Sequence, residues 1–153
     1  MPRTIAAVLL ALSLGGCAQR YTPSEPQPGY PLESDIASAY GIEYRATLNR
    51  AWQGSETDLR LCFLISLTTD GCYSEAHSER LRELLEHLGD GRFAGVLQGC
   101  GPTVRNVVAG HLLHAYGLDD GSERQVFTWF RDEYPFVTAA CKVQIEDYMA
   151  TGR

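Results

Sequence analysis

Between Ser74 and Leu88 the residues Leu81, Leu84, Leu85 and Leu88 recur at i, i+3, i+4 and i+7, with Glu75, Glu79, Arg82, Glu83 and Glu86 between them. A period of 3.6 residues puts the leucines on one stripe of an α-helix and the charges on the other. Ser74 is placed to cap the start and Gly89 to end it. No pleated strand satisfies that spacing, so the chain is expected to fold around helices.

The same period runs through the rest of the chain. Over 34–52, Ile36, Ala37, Tyr40, Tyr44, Leu48 and Ala51 share a stripe, with Ser34 as cap, Gly54 past the end and Gly41 a weak point in the middle. Ser55, with Asp58 three residues on, opens a second helix. Its run from Leu59 to Leu67 is apolar except at Arg60 and Ser66. A helix apolar all round is buried all round, which predicts the central helix here, although the length also suits a buried strand. Phe93, Val96 and Leu97 predict a short amphipathic segment. Gly101-Pro102 opens a helix to Tyr116, with Val104, Val107, Val108, His111, Leu112 and Ala115 inward and Gly117 closing it. Asp119-Asp120-Gly121 reads as a turn and Ser122 with Gln125 as a capping box. The next helix carries Val126, Phe127, Phe130 and Tyr134 inward. Pro135 breaks the chain and opens a last helix, whose Val137, Cys141, Ile145 and Tyr148 line up, placing Cys141 on the core side. The expectation is an all-α domain: a disulfide-bonded bundle, or a short irregular solenoid, of six to seven helices.

The N-terminus carries a different signal. One positive charge, Arg3, precedes an apolar run from Ile5 to Leu14, and Gly15-Gly16-Cys17 follows. That is the order of a secretory signal, and the run is too short for a bilayer core, which needs about 20 apolar residues. Leu14-Gly15-Gly16-Cys17 resembles the lipobox of bacterial lipoproteins, a resemblance confined to these first residues. It implies cleavage before Cys17, lipid on that cysteine and a mature chain starting there. Ala18, where such proteins held in an inner membrane often carry Asp, points to an outer membrane facing the periplasm. Two or more acyl chains hold a protein stably on a membrane. Residues 18–33 contain Pro23, Pro26, Pro28 and Pro31 among polar residues, the composition of a semi-extended tether. The predicted organisation is a signal peptide over 1–16, a lipidated N-terminus and tether over 17–33, and one helical domain over 34–150.

The chain has formal charge −6, and loss of Arg3 with the signal leaves 12 Lys+Arg against 19 Asp+Glu, or −7. That argues against nucleic acid or anionic headgroups as partners and is compatible with a basic protein. Besides Cys17 there are four cysteines: Cys62, Cys72, Cys100 and Cys141. An even count in an exported chain predicts two disulfides, out of three possible pairings. Helix rise separates Cys62 from Cys72, which favours Cys62–Cys141 with Cys72–Cys100.

Motifs for chemistry are few. His111 and His114, at i, i+3, face almost the same way and are weak candidates for a metal, such as that of a metal-dependent or cell-wall hydrolase. Both lie on or beside an apolar stripe, where a hydrogen-bonded core imidazole is the ordinary case, and His77 continues the Leu81 stripe in the same way. Glu75 and His77, two apart, point in different directions. Asp119-Asp120 favours the following helix N-terminus electrostatically. There is no Gly-x-Ser-x-Gly elbow, phosphate-cradling Gly loop or His-Glu-x-x-His, and no motif implies a cofactor. Trp129 and Trp52 fall off-centre on their stripes, where aromatics serve interfaces, and Arg131 and Arg105 are placed to frame a contact. The sequence thus predicts a non-enzymatic, membrane-anchored module that binds a protein partner, with a hydrolase or a structural spacer as alternatives.

Overall fold

The computed structural model describes residues 41, 43–69, 71–117 and 123–141, with the side chains of 72 and 123–126 left out. The predicted signal, Cys17, the tether and the Asp119-Asp120 turn lie outside the described residues. These form seven helices and no strand: α1 Tyr44–Trp52, α2 Glu56–Ile65, α3 Gly71–Leu88, α4 Asp90–Gln98, α5 Pro102–Ala115, α6 Glu123–Glu133 and α7 Pro135–Ala140. The domain is an all-α bundle.

Each boundary has a local cause. Ser55 Oγ accepts from the Asp58 backbone N–H at 3.3 Å, capping α2 as its sequence predicts. Gly89 takes φ +80°, a left-handed conformation that ends α3 and turns the chain into α4. Pro102 and Pro135 each sit in the first turn of their helix, where a missing N–H leaves nothing unsatisfied. α3 starts at Gly71, so Ser74 lies within its first turn and is not its cap.

The 18-residue α3 is the spine. Its Leu81, Leu84 and Leu85 are fully buried and pack chiefly against α5, while α1 pairs with α2 and α4 with α7. Tyr44, Phe63, Phe93 and Phe130 fill the centre, and the Phe63 and Phe93 rings meet edge-on at 4.8 Å. Arg50 clamps α1 to α2 through Asp58, with Nε and Nη2 at 2.8 and 2.7 Å from Oδ1.

α7 is held from a distance. At six residues it is too short to persist alone. Asp90 in the first turn of α4 takes two of its free N–H groups: Phe136 N–H donates to Oδ2 and Val137 N–H to Oδ1, each at 2.7 Å. Charge-assisted bonds of that kind contribute about 1.5–3 kcal/mol each when well shielded.

Two expectations are corrected. α2 is not buried all round, since Leu61 and Leu64 remain 36% and 44% exposed, as does Leu67 just past its end at 44%. α2 lies at the side of the bundle and sends only Leu59, Cys62, Phe63 and Ile65 inward; α3 holds the centre instead. No disulfide joins the described cysteines, against the expected Cys62–Cys141 and Cys72–Cys100 pairs. Each of these thiols faces its own surroundings. Cys100 Sγ donates to Val96 O at 3.7 Å and Cys141 Sγ to Arg105 O at 3.6 Å, while Cys62 is enclosed in the core. The Cys72 side chain lies outside the described residues.

Candidate functional site

Two places gather chemistry-bearing side chains. The first is a buried polar cluster where α1, the end of α2, α3 and α5 meet. His77 is fully buried between two hydroxyls, with Tyr44 Oη 2.6 Å from Nδ1 and Ser66 Oγ 2.8 Å from Nε2. The tautomers follow from where protons can go. Ser66 Oγ also lies 3.4 Å from Cys62 O, which only accepts. The chain therefore runs Tyr44 O–H to Nδ1, Nε2–H to Ser66 Oγ, and Ser66 O–H to Cys62 O. His111 packs edge-on against His77 with centroids 5.3 Å apart. Its Nε2 lies 3.3 Å from Ser66 O and its Nδ1 2.7 Å from Ser78 Oγ. Ser78 Oγ in turn donates to Ser74 O at 2.8 Å.

Burial holds both imidazoles neutral. Desolvation, joined by the His111 ring, pushes His77 down from the ordinary 6.5 to about 3. Desolvation lowers His111 as well, opposed by the carbonyls of Ser66 and Ser74. An open depression of about 440 Å³ lies over the cluster, lined by Ser66, Thr69, Ser74, Ser78, His111 and His114 among others.

This arrangement has the members of a Ser–His site but not the access. Ser78 and Ser66 are 0% and 2% exposed, so no substrate carbonyl reaches either oxygen. An imidazole at about 3 is also a poor base at neutral pH. The structure does bring His111 and His114 to one depression, as their spacing predicts. Both ring nitrogens of His111 are already engaged within the fold, and among the described residues no group of three His, Cys, Asp or Glu is placed to hold a metal. The cluster is chiefly a satisfied buried network.

The second place is an aromatic group on α6, the end of α5 and the link to α7. Tyr116 lies 5.4 Å from both Trp129 and Phe130 and 5.7 Å from Tyr134, by ring centroids. Trp129 and Tyr134 stand at 90° with centroids 6.1 Å apart. Phe130 is the buried foot of the group, whereas Trp129 is 46% exposed and Phe136, seven residues on, 60% exposed. The Tyr116 hydroxyl lies 3.0 Å from Tyr134 Oη and 3.3 Å from Glu86 Oε1. Burial, with Tyr134 and Glu86 beside it, pushes Tyr116 well above its ordinary range, so it stays a neutral phenol. Arg82 stands over the Tyr116 ring at 6.0 Å, bonded to Glu79 at 2.7 Å and near Glu86 at 3.8 Å.

The other sequence candidates are spread out. Trp52 is half-buried and stacks on His87 with centroids 3.6 Å apart and planes 8° apart. Arg105 is half-buried, its Nη1 donating to Gln98 O at 3.4 Å, a bond at the C-terminal end of α4. Arg131 is exposed, two residues from Trp129 on α6, and bonds Asp132 at 3.0 Å. Of the four predicted contact residues, the structure leaves Trp129 and Arg131 on an open surface. Sequence reasoning missed Phe136, although its place one residue off the Val137–Cys141 stripe was the available signal. It also missed the Tyr44–His77–Ser66 chain.

Among the described residues no helix is long and apolar enough to cross a membrane. Comparison with family models, with curated proteins and with solved structures found no match.

Proposed function

We propose that this protein is a lipid-anchored component of the bacterial envelope, cleaved ahead of Cys17 and acylated there, whose helical domain binds a protein partner. In that role it serves as an assembly helper or an inhibitor-like protector, on the periplasmic side of the outer membrane. The lipobox-like Leu14-Gly15-Gly16-Cys17 supports the anchor. One observation carries the binding function: Trp129 remains 46% exposed at the edge of an aromatic group whose Phe130 is buried, and Phe136 at the start of α7 is 60% exposed. Large aromatics left in water on a rigid helical support are the anchors that protein interfaces use. The proline-rich stretch before the domain suits a tether that lets this surface reach a partner near the bilayer.

The test is a crosslinking pull-down from envelope membranes with the full chain as bait. Wild type should recover a specific partner, and Trp129→Ala and Phe136→Ser should each lose it while keeping the wild-type circular dichroism spectrum. Equal recovery by both variants rejects this surface. For the anchor, a palmitate analogue should label the wild type and not Cys17→Ser; an unlabelled wild type rejects it.

A further inference from the structure

We infer that the Trp129 surface receives a cationic side chain, so that the partner presents a Lys/Arg-rich segment to it. This rests on the proposed partner-binding function and names the chemistry that the surface selects.

The face of a tryptophan ring is the most electron-rich among the aromatic side chains and attracts a cation placed over it. Trp129 is 46% exposed, and the Tyr134 ring stands at 90° to it with centroids 6.1 Å apart. Helical spacing sets Asp132 and Glu133, at i+3 and i+4, on the same side of α6 as Trp129. Asp132 is 65% exposed and Glu133 is exposed too. The aromatic wall therefore carries carboxylates at its edge.

The same group of rings already accommodates one cation of the chain. The Arg82 guanidinium stands over Tyr116, the ring next to Trp129, with Glu79 and Glu86 as its counter-charges. The combination of ring and flanking carboxylate thus recurs within a single cluster, occupied on the Tyr116 side and, among the described residues, open on the Trp129 side. Asp132 takes Arg131 at 3.0 Å, but both side chains are more than half exposed, and exposed pairs of that kind exchange partners at little cost. Long-range electrostatics agrees, since the whole chain carries −6 and draws a basic segment towards it. The same carboxylates repel a phosphorylated or acidic partner and an anionic lipid surface.

The experiment uses the full chain in nonionic detergent, in a Trp52→Phe background so that Trp129 alone reports by fluorescence. The probes are octa-arginine, octa-glutamate and a neutral Gly-Ser octapeptide, titrated at low and high salt. Octa-arginine alone should shift Trp129 emission, with affinity falling as salt rises. Calorimetry should show that affinity drop at least fivefold, equivalent to about 1 kcal/mol, in Trp129→Ala and again in the Asp132→Asn, Glu133→Gln pair. Trp129→Phe should fall between wild type and Trp129→Ala. Octa-arginine binding that is unchanged in Trp129→Ala, or a neutral peptide that binds as well, overturns the inference. If the pull-down partner depends on Trp129 while octa-arginine binding does not, the interface stands and its cationic chemistry is wrong. If octa-arginine binding depends on Trp129 and the envelope yields no partner, the site chemistry stands and the proposed function fails.

Discussion

Acid should destabilise this fold through a buried imidazole. His77 has no exposed surface, its two nitrogens are taken by Tyr44 and Ser66, and the His111 ring lies edge-on at 5.3 Å. Burial places it at about 3, against 6.5 in a solvated chain. The unfolded chain therefore takes up the proton first, so the stability His77 supports is complete above about pH 6.5 and is lost as pH falls towards 3. Each pH unit inside that window removes about 1.4 kcal/mol for one such group. Acidification from 6.5 to 5 thus removes about 2 kcal/mol, a large part of the 5–15 kcal/mol that holds a typical domain together. His111 is shifted the same way by desolvation and steepens the loss. Asp58, held below the ordinary carboxylate range chiefly by its hydrogen bond from Arg50, loses its contribution only at lower pH, near its unperturbed 3.8 and below. The interval from 6.5 to 5 therefore isolates the histidines. Urea unfolding at pH 7.5, 6.5, 5.5 and 5.0 measures the effect. The wild-type midpoint should hold between 7.5 and 6.5 and then fall steeply at constant m. His77→Gln should be less stable at pH 7.5 and should lose about one proton of that slope. A wild-type midpoint unchanged down to pH 5, or a slope undiminished in His77→Gln, would refute the reasoning.

Other perturbations act on other joints. Asp90→Ala removes both acceptors from the start of α7 and should cost about 1–3 kcal/mol by urea unfolding, with Asp90→Asn, which keeps one acceptor oxygen, losing less. Gly54→Ala should cost at least about 1 kcal/mol, because Gly54 sits at φ +93° and a Cβ there would lie 2.5 Å from the Arg92 guanidinium. That guanidinium donates to Gly54 O at 2.6 Å, so the substitution also disturbs the link from α4 to the α1–α2 turn. Burial pushes the Cys62 and Cys141 thiols up to about 12, whereas Cys100 is only half-buried. Among these three, native-state alkylation at pH 8 should modify Cys100 first, as peptide mass mapping would show.

What the sequence revealed was local. The leucine stripe of α3, the prolines opening α5 and α7, and the glycines after α3 and α5 are read within a turn or two, and the helices formed where they point. Placement of a helix within the bundle is not local, which explains the misreading of α2. Its leucines make it apolar all round, yet only neighbours decide which of them meet water. The buried cluster was equally out of reach. Tyr44 and His77 are 33 residues apart, and each sits on an apolar stripe that predicts core and nothing more. Of the predicted contact residues, Trp129 was legible because it fell off its stripe. Trp52 fell off its stripe too, but His87, 35 residues later, covers it. Counting cysteines likewise says nothing about whether two sulfurs come face to face.

The double bond from Asp90 to the start of α7 also bears on the order in which the molecule is assembled. A six-residue helix gains its first-turn acceptors from a residue 46 positions earlier, so it has nothing to dock on until α4 exists and nothing to offer before residue 137 has been delivered. A chain that is synthesised or threaded N-terminus first therefore stays open along one flank of α4 until residue 137 has emerged. During that interval the α4 surface that α7 covers is bare, and shielding it from aggregation falls to whatever escorts the growing polypeptide.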